Sequence, residues 1–327
     1  MREFTATFLV ALTFSVGFGF LIIPLLKKLK FGQNILNYVI EHNYKSGTPT
    51  MGGVIFAISG AVSFFFFTSG DNHLSLVCIA VGLSYMLVGF LDDFIKIKLK
   101  RNMGLSGWQK TFFELVIALV VSIFAYSRGL TKIYIPFTGL IFDLGWWFIP
   151  LCVFVFIATT NSVNLTDGLD GLAGGITYIF LIFIGGIIAL QTKKFNINYV
   201  NLAEYKNLSV LAFALSGGVV GYLLFNTHKA SVFMGDTGSL SLGGFVAIIS
   251  IVSGNMLFIP IIGITYVASS ISVILQVIYY KKTKKRIFLM APLHHHFQQK
   301  GYEESKIAVG YKIITLFLGL ICAIFYM

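Results

Sequence analysis

Long apolar segments alternate with short polar ones along almost the whole chain. An apolar run of about 17 to 25 residues is long enough, as an α-helix, to cross a hydrocarbon core of roughly 30 Å. No strand-like alternation accompanies these runs, and lipid does not tolerate unpaired backbone groups, so we expect an all-α bundle. The pattern predicts ten membrane-spanning helices, over residues 4–26, 50–68, 74–94, 111–128, 146–163, 171–190, 208–225, 238–254, 257–279 and 307–326.

Composition supports a membrane protein. Of the 327 residues, 57% are hydrophobic and 11% are charged, whereas about a quarter of the residues of a soluble domain are charged. The first apolar run ends in PLLKKLK without a small-residue cleavage site, so we interpret it as a retained helix. No internal repeat or Pro/Ser-rich linker divides the chain, which predicts one transmembrane domain over residues 1–327 that interacts with the lipid bilayer and not with nucleic acid.

The basic residues orient the predicted bundle. Most of the 24 Lys and Arg residues fall in the loops that follow odd-numbered helices. Because positive residues concentrate on the cytoplasmic side, those loops are predicted to be cytoplasmic and both termini extracytoplasmic. The run KKTKKR at 281–286 could be a topological anchor alone or could also contact a substrate.

Five aspartates lie at the predicted cytoplasmic ends of helices: Asp92, Asp93, Asp167, Asp170 and Asp236. A carboxylate near lipid is costly, which makes each a functional candidate, although capping of a helix end is the simpler alternative. Asp92 and Asp93 repel each other when both are ionised, so such a pair either shares a proton or holds a cation. Mg²⁺ suits this pattern because it binds carboxylates together with substrate phosphates.

Further polar side chains cluster near these acids. Lys96 follows the acidic pair by one helical turn. In NSVNLTDGLDGLAGG, Asn164, Asp167 and Asp170 are spaced by three, which places them on one face if the segment is helical. The segment FNTHKASVFMGDTGSLSLGG leads into a helix N-terminus suited to anions, and Phe233 within it could stack on a planar ring or simply pack.

Three consecutive histidines, His294, His295 and His296, occur in MAPLHHHF on the same predicted side. They could ligate a metal, donate hydrogen bonds to phosphates or transfer a proton. Zinc is the weaker interpretation, because consecutive residues rarely aim three rings at one ion and no thiolate lies on this side.

Seven segments in order along the chain resemble the phospho-N-acetylmuramoyl-pentapeptide-transferase (translocase I) family, of the polyprenyl-phosphate N-acetylhexosamine-1-phosphate transferases. The histidine triplet resembles this branch and not the N-acetylglucosamine branch. The segments are GTPTMGG (47–53), GFLDDFIK (89–96), GLSGWQK (104–110), NSVNLTDGLDGLAGG (161–175), NTHKASVFMGDTGSLSLGG (226–244), SVILQV (272–277) and RIFLMAPLHHHFQQKG (286–301).

The resemblance implies a multi-pass enzyme of the bacterial inner (cytoplasmic) membrane, working as a homodimer with its active site on the cytoplasmic face. It implies Mg²⁺-dependent transfer of phospho-MurNAc-pentapeptide from its UDP carrier to undecaprenyl phosphate, giving lipid I and UMP. Metal ligands would be Asp92, Asp93 and Asp236, which with His294 would be catalytic. Substrate would be bound by Lys45, Thr50, Lys96, Lys110, Asn164, Asp167, Leu169, Asp170, Asn226, Phe233, His295 and His296.

Some alternatives stay open at this point. Direct displacement assisted by Asp92 is favoured over an aspartyl-phosphate intermediate, because a phosphate monoester with a second pKa of about 6 needs little help from a base. The family usually has a glutamate where this chain has Ser269. Rival functions are an N-acetylglucosamine-1-phosphate transferase and, in another class, an anionic-lipid transporter, although transporters place charged sites near mid-membrane.

Overall fold

A computed structural model describes residues 2–29, 47–99, 103–194 and 202–326. Within these ranges the chain is mainly helical, in the order α1 (Arg2–Lys28), α2 (Gly53–Phe67), α3 (His73–Lys98), α4 (Gly107–Ser127), β1 (Lys132–Tyr134), β2 (Ile141–Asp143), α5 (Phe148–Thr166), α6 (Leu172–Lys194), α7 (Leu202–Asn226), α8 (Gly235–Val252), α9 (Ile259–Ile262), α10 (Ile264–Thr283), α11 (Leu293–Gln299) and α12 (Glu304–Ile324).

Nine helices in the described ranges are long and apolar enough to cross a membrane, which confirms an integral membrane protein built from helices. The one predicted span that is not among these nine is the second, residues 50–68; within the described ranges it is present as α2, a shorter apolar helix of 15 residues. Its start is fixed by the loop before α8, since the N–H groups of Gly52 and Gly53 donate to the carbonyl groups of Phe233 and Met234.

The prediction of one continuous helix over 257–279 was wrong. A short helix, α9, ends at Gly263, whose φ of −91° and ψ of 29° leave the helical region, and α10 begins at the next residue. A Cβ atom at position 263 would lie 2.7 Å from the carbonyl oxygen of Ile259. The interruption of the helix therefore needs a glycine, which hydrophobicity alone does not reveal.

A β-hairpin was also missed by the all-α prediction. Strands β1 and β2 pair antiparallel, with Ile133 opposite Phe142. The N–H of Tyr134 donates to the carbonyl of Gly254 over 2.8 Å, just beyond the C-terminal end of α8. The hairpin thus lies at the end of the bundle opposite Asp236, which is in the first turn of α8.

Helix α8 forms the centre of the bundle. Every residue from Thr237 to Val252 is buried, as expected for a helix that is apolar on all sides. Its neighbours approach closely through glycines, because a Cβ at Gly89 of α3 would overlap the carbonyl oxygen of Asp236, and one at Gly243 would lie 2.5 Å from Cα of Thr160 in α5. This packing fixes the N-terminus of α8 between the ends of α3 and α5.

Candidate active site

The aspartates predicted from sequence meet at one end of the bundle. Gly89 contacts the backbone of Asp236, so the next turn of α3, with Asp92 and Asp93, reaches the first turn of α8. Carboxylate oxygens of Asp92, Asp93 and Asp236 lie within 4.8 Å of one another. We refer to these three side chains as the carboxylate cluster.

Two lysines pair with the carboxylate cluster. Nζ of Lys96 pairs with Asp92 and lies 3.6 Å from Oδ1 of Asp93 and 3.1 Å from Oδ2 of Asp236. Nζ of Lys110 also lies 3.1 Å from Oδ2 of Asp236. Three carboxylates facing two ammonium groups leave an excess of negative charge, which favours a further cation.

One oxygen of each aspartate on α3 is held by the backbone of another element. Oδ1 of Asp92 accepts the N–H of Leu105 at 2.8 Å. Oδ2 of Asp93 accepts the N–H and the hydroxyl of Thr237 at 2.9 and 2.7 Å, which caps the start of α8. These bonds fix the direction of both carboxylates.

The other oxygens of these two residues fit a divalent cation. Oδ2 of Asp92 and Oδ1 of Asp93 are buried and take no backbone donor; both face the ammonium group of Lys96, which pairs with the first and lies 3.6 Å from the second. With Asp236 they offer three hard oxygen ligands, the type that Mg²⁺ prefers when the remaining positions go to water or phosphate. The prediction of an acidic group able to bind a metal ion is therefore confirmed.

Asn164 orients the third member of the cluster. Its amide nitrogen donates to Oδ1 of Asp236 and to Oγ of Ser239, both at 2.8 Å. Its amide oxygen accepts from Nζ of Lys110 at 3.4 Å. Asn164 and Lys110 thus hold Asp236 from two sides.

The α5–α6 turn, residues 167–171, lies beside this group. Asp167 ends α5 and is half-buried. Burial, together with the negative charges of Asp236, Asp93 and Asp170, raises the pKa of Asp167 to about 8. Leu169 is buried in the same turn, and Asp170 accepts the N–H of Ala230 at 3.0 Å.

The histidine triplet divides between two surroundings. A Cβ at Gly168 would overlap Nε2 of His294 and lie 2.9 Å from Nε2 of His295, so both rings rest on the α5–α6 turn. His296 instead accepts the N–H of Leu289 at 3.1 Å. Within the described ranges, no group of three metal-ligand side chains includes a member of the triplet.

His294 is fully buried, and neither ring nitrogen has a hydrogen-bond partner in the structure. Burial, with a smaller contribution from His295, lowers the pKa of His294 to about 3. Its imidazole is therefore neutral at physiological pH, with one nitrogen able to donate and one able to accept.

Four predicted substrate-binding residues remain, and each is in a different situation. Thr50 is buried, and its hydroxyl has no hydrogen-bond partner. Asn226 has a structural position, since it accepts the N–H of Gly171 at 3.2 Å and donates to the carbonyl of Val232 at 3.0 Å. Phe233 is half-buried, and Lys45 lies outside the described residues.

Sequence reasoning missed two buried glutamates near the site. Glu304 accepts the N–H of Asp170 at 2.6 Å. Glu114, one turn beyond Lys110 in α4, accepts the amide of Asn161 at 2.6 Å. The signal for Glu114 was available, because any acid inside an apolar span is a functional candidate. Ser269, where the resemblance leads one to expect glutamate, is buried and bonds within α10 to the carbonyl of Thr265.

Comparison with known proteins gives concordant matches. Residues 75–254 match the model of glycosyl transferase family 4, and residues 45–56 match phospho-N-acetylmuramoyl-pentapeptide-transferase signature 1. The chain is 41% identical to the phospho-N-acetylmuramoyl-pentapeptide-transferase of Clostridioides difficile (strain 630), over 99% of this chain and 98% of that protein. It is 45% identical to the protein of the same name from Desulforamulus reducens, over 91% of this chain and 88% of the relative.

Proposed function

The chain belongs to the phospho-N-acetylmuramoyl-pentapeptide-transferase family, and from this we propose the reaction and the roles of its site residues. The protein transfers phospho-MurNAc-pentapeptide from UDP-MurNAc-pentapeptide to undecaprenyl phosphate. The products are lipid I and UMP, and the reaction is the first membrane step of peptidoglycan synthesis.

The carboxylate cluster is the observation that carries this proposal. An oxygen of the lipid phosphate attacks the sugar-linked phosphorus of the UDP substrate, a new P–O bond forms, and the bond to the bridging oxygen of UMP breaks. Asp92, Asp93 and Asp236 would hold Mg²⁺, which would supply positive charge to neutralise the phosphate groups. Such a reaction depends mainly on aligning and neutralising two anions, which suits a group of this charge at one end of a membrane bundle.

The protein's own side chains supply the rest of the chemistry. Lys96 and Lys110 would bind phosphate oxygens, and Asn164 would keep Asp236 directed at the reacting group. We propose direct displacement, because a phosphate monoester has a second pKa of about 6 and needs little help from a base to attack. Asp92, at the carboxylate cluster, would assist the attacking phosphate.

The α5–α6 turn and the loop before α8 would bind the nucleotide. Asp170, Leu169 and Phe233 would form the uracil pocket, with Asn164, Asp167, Thr50 and Lys45 beside it and Asn226 supporting the loop. The neutral imidazole of His294, with His295, would donate to a phosphate or to the muramoyl group. His296 would contribute less, because its Nδ1 is already bonded to Leu289.

Orientation follows from the charge distribution of the sequence. We propose one transmembrane transferase domain in the bacterial cytoplasmic (inner) membrane, with the carboxylate cluster at the cytoplasmic face and both termini outside. The homodimer implied by the family resemblance stays a prediction.

A substrate comparison tests the reaction. Purified protein in detergent would be given undecaprenyl phosphate, Mg²⁺ and either UDP-MurNAc-pentapeptide or UDP-GlcNAc, and UMP release would be followed. We expect release from the first substrate only. Release from UDP-GlcNAc alone would favour the N-acetylglucosamine-1-phosphate transferase, and no release from either by folded protein would favour a transporter.

The matched variants are Asp236→Asn and Asp143→Asn. Asp236 belongs to the carboxylate cluster, whereas Asp143 is exposed in the β-hairpin at the other end of the bundle. Loss of UMP release in Asp236→Asn, with normal release in Asp143→Asn, is the expected result.

A further inference from the structure

Glu304, at the start of α12, carries a buried carboxylate that the reaction itself does not use. The residue is 9% exposed. The preceding Glu303 is exposed and pairs with Lys306, at 3.4 Å. Acidic residues are generally favourable at a helix N-terminus, but that applies to both glutamates and does not explain why one of them turns into the protein.

The buried carboxylate bonds to the backbone of the α5–α6 turn. Oε1 of Glu304 accepts the N–H of Asp170 at 2.6 Å, across a separation of 134 residues. A hydrogen bond to an ionised acceptor is stronger than one between neutral groups, and more so in a buried position. The bond therefore fixes the backbone at the residue whose side chain we assign to the uracil pocket.

Two further bonds hold the same turn from other elements. The N–H of Ala230, in the loop between α7 and α8, donates to Oδ2 of Asp170 at 3.0 Å. The N–H of Gly171, where φ is +68°, donates to Asn226 at 3.2 Å. Of the three bonds, only the one from Glu304 ties the turn to the C-terminal part of the chain.

A histidine joins this arrangement. A ring nitrogen of His228 and carboxylate oxygens of Asp170 and Glu304 lie within 4.8 Å of one another. The three side chains come from the α7–α8 loop, the α5–α6 turn and α12. They connect three parts of the chain around Asp170, at the edge of the proposed nucleotide pocket.

We propose that Glu304 is a positioning residue that sets the affinity for the UDP-linked substrate by fixing the backbone of Asp170. This inference rests on the proposed function. Removing the carboxylate frees the Asp170 N–H and lets the turn shift, which weakens binding of the nucleotide part. The proposed function places the lipid phosphate beside Asp92 in the carboxylate cluster, away from Glu304, so its affinity should not change.

The test measures KM for each substrate separately. Glu304→Ala should raise KM for UDP-MurNAc-pentapeptide by about tenfold, the size expected for a buried charge-assisted hydrogen bond, with KM for undecaprenyl phosphate unchanged. Direct binding of UMP should weaken by a similar factor. Glu304→Gln keeps an acceptor oxygen of the same reach and should restore most of the affinity. Glu303→Ala is the matched control and should equal the wild type.

The outcomes separate the inference from the proposed function. If the wild type releases UMP and Glu304→Ala has wild-type KM values, the positioning role is wrong and the proposed function stands. A fall in kcat with both KM values unchanged would also overturn it. If Glu304→Ala does not fold, Glu304→Met decides, because it keeps the length of the side chain without an acceptor oxygen: a rise in KM for the UDP substrate alone supports the role, and wild-type values refute it.

Discussion

Replacing Gly168 with alanine tests whether the α5–α6 turn and the histidine segment form one site. The added Cβ would overlap Nε2 of His294 and lie 2.9 Å from Nε2 of His295. The backbone at Gly168 is outside the left-handed region, so the substitution introduces no backbone strain. Any effect therefore comes from the methyl group meeting the two rings.

The size of the effect follows from the overlap. Non-bonded heavy atoms prefer a separation of about 3.5 to 4.0 Å, so the ring of His294 has to move by about 1 Å or more. It is fully buried and cannot swing into solvent. Overpacking of this kind costs about 1 to 3 kcal/mol, and a 1 Å misplacement of a catalytic group can cost about 100-fold in rate.

The assay is UMP release, together with thermal unfolding in detergent. Gly168→Ala is expected to lower kcat by about 10- to 100-fold, with a small fall in the melting temperature. Gly186→Ala in α6 is the control, because a Cβ there meets no atom within 4 Å. In a His294→Ala background the closer of the two contacts is gone and only the one with His295 remains, so adding Gly168→Ala should cost much less than it does in the wild type. Wild-type kcat in the single variant, or full additivity in the double variant, would refute this packing.

Three other changes have definite expected results. Glu114→Gln keeps the shape of the side chain and an oxygen for the Asn161 amide, so the melting temperature should change little. Glu114→Leu takes the acceptor from one N–H of that amide, while the other N–H keeps the carbonyl of Ile157, and should cost about 1 to 3 kcal/mol; equal losses in both variants would contradict this. Gly89→Ala should lower both the melting temperature and UMP release, since its Cβ overlaps the backbone of Asp236. A variant with full UMP release would show that α3 and α8 can move apart without loss of activity. Because the pKa of Asp167 is raised to about 8, the folded protein holds a proton there between about pH 4 and pH 8 that the unfolded chain releases. In EDTA, the free energy of unfolding should therefore fall as pH rises through this range, and should fall less in Asp167→Asn. The same dependence of stability on pH in the wild type and in Asp167→Asn would disprove it.

The membrane-spanning helices could be predicted from the sequence because each is a long apolar run, a signal that does not depend on packing. The exceptions involve short or local features. The strands of the hairpin contain three residues each, too few for a recognisable alternation. The interruption between α9 and α10 depends on one residue, Gly263, and many other glycines in the chain lie within helices without interrupting them.

The carboxylate cluster was foreseeable because acidic residues are few in this chain, 13 of 327, and a carboxylate near lipid is costly. The internal arrangement was not. Residues two apart on a helix point about 200° apart, which explains why His296 faces Leu289 while His294 faces Gly168, but the sequence does not reveal which ring enters the site. The contact of Glu304 with Asp170 depends on how α12 packs against the α5–α6 turn, and no local pattern encodes it.

The most direct test of the central claim is the metal dependence of UMP release by wild type, Asp92→Asn and Asp236→Asn. Protein freed of metal with EDTA would receive UDP-MurNAc-pentapeptide, undecaprenyl phosphate and increasing Mg²⁺. We predict no release by the wild type without Mg²⁺, recovery as Mg²⁺ is added, and release by either variant that is absent or needs far more Mg²⁺. Full release in EDTA, or variants with the same Mg²⁺ dependence as the wild type, would contradict a metal-binding role for the carboxylate cluster.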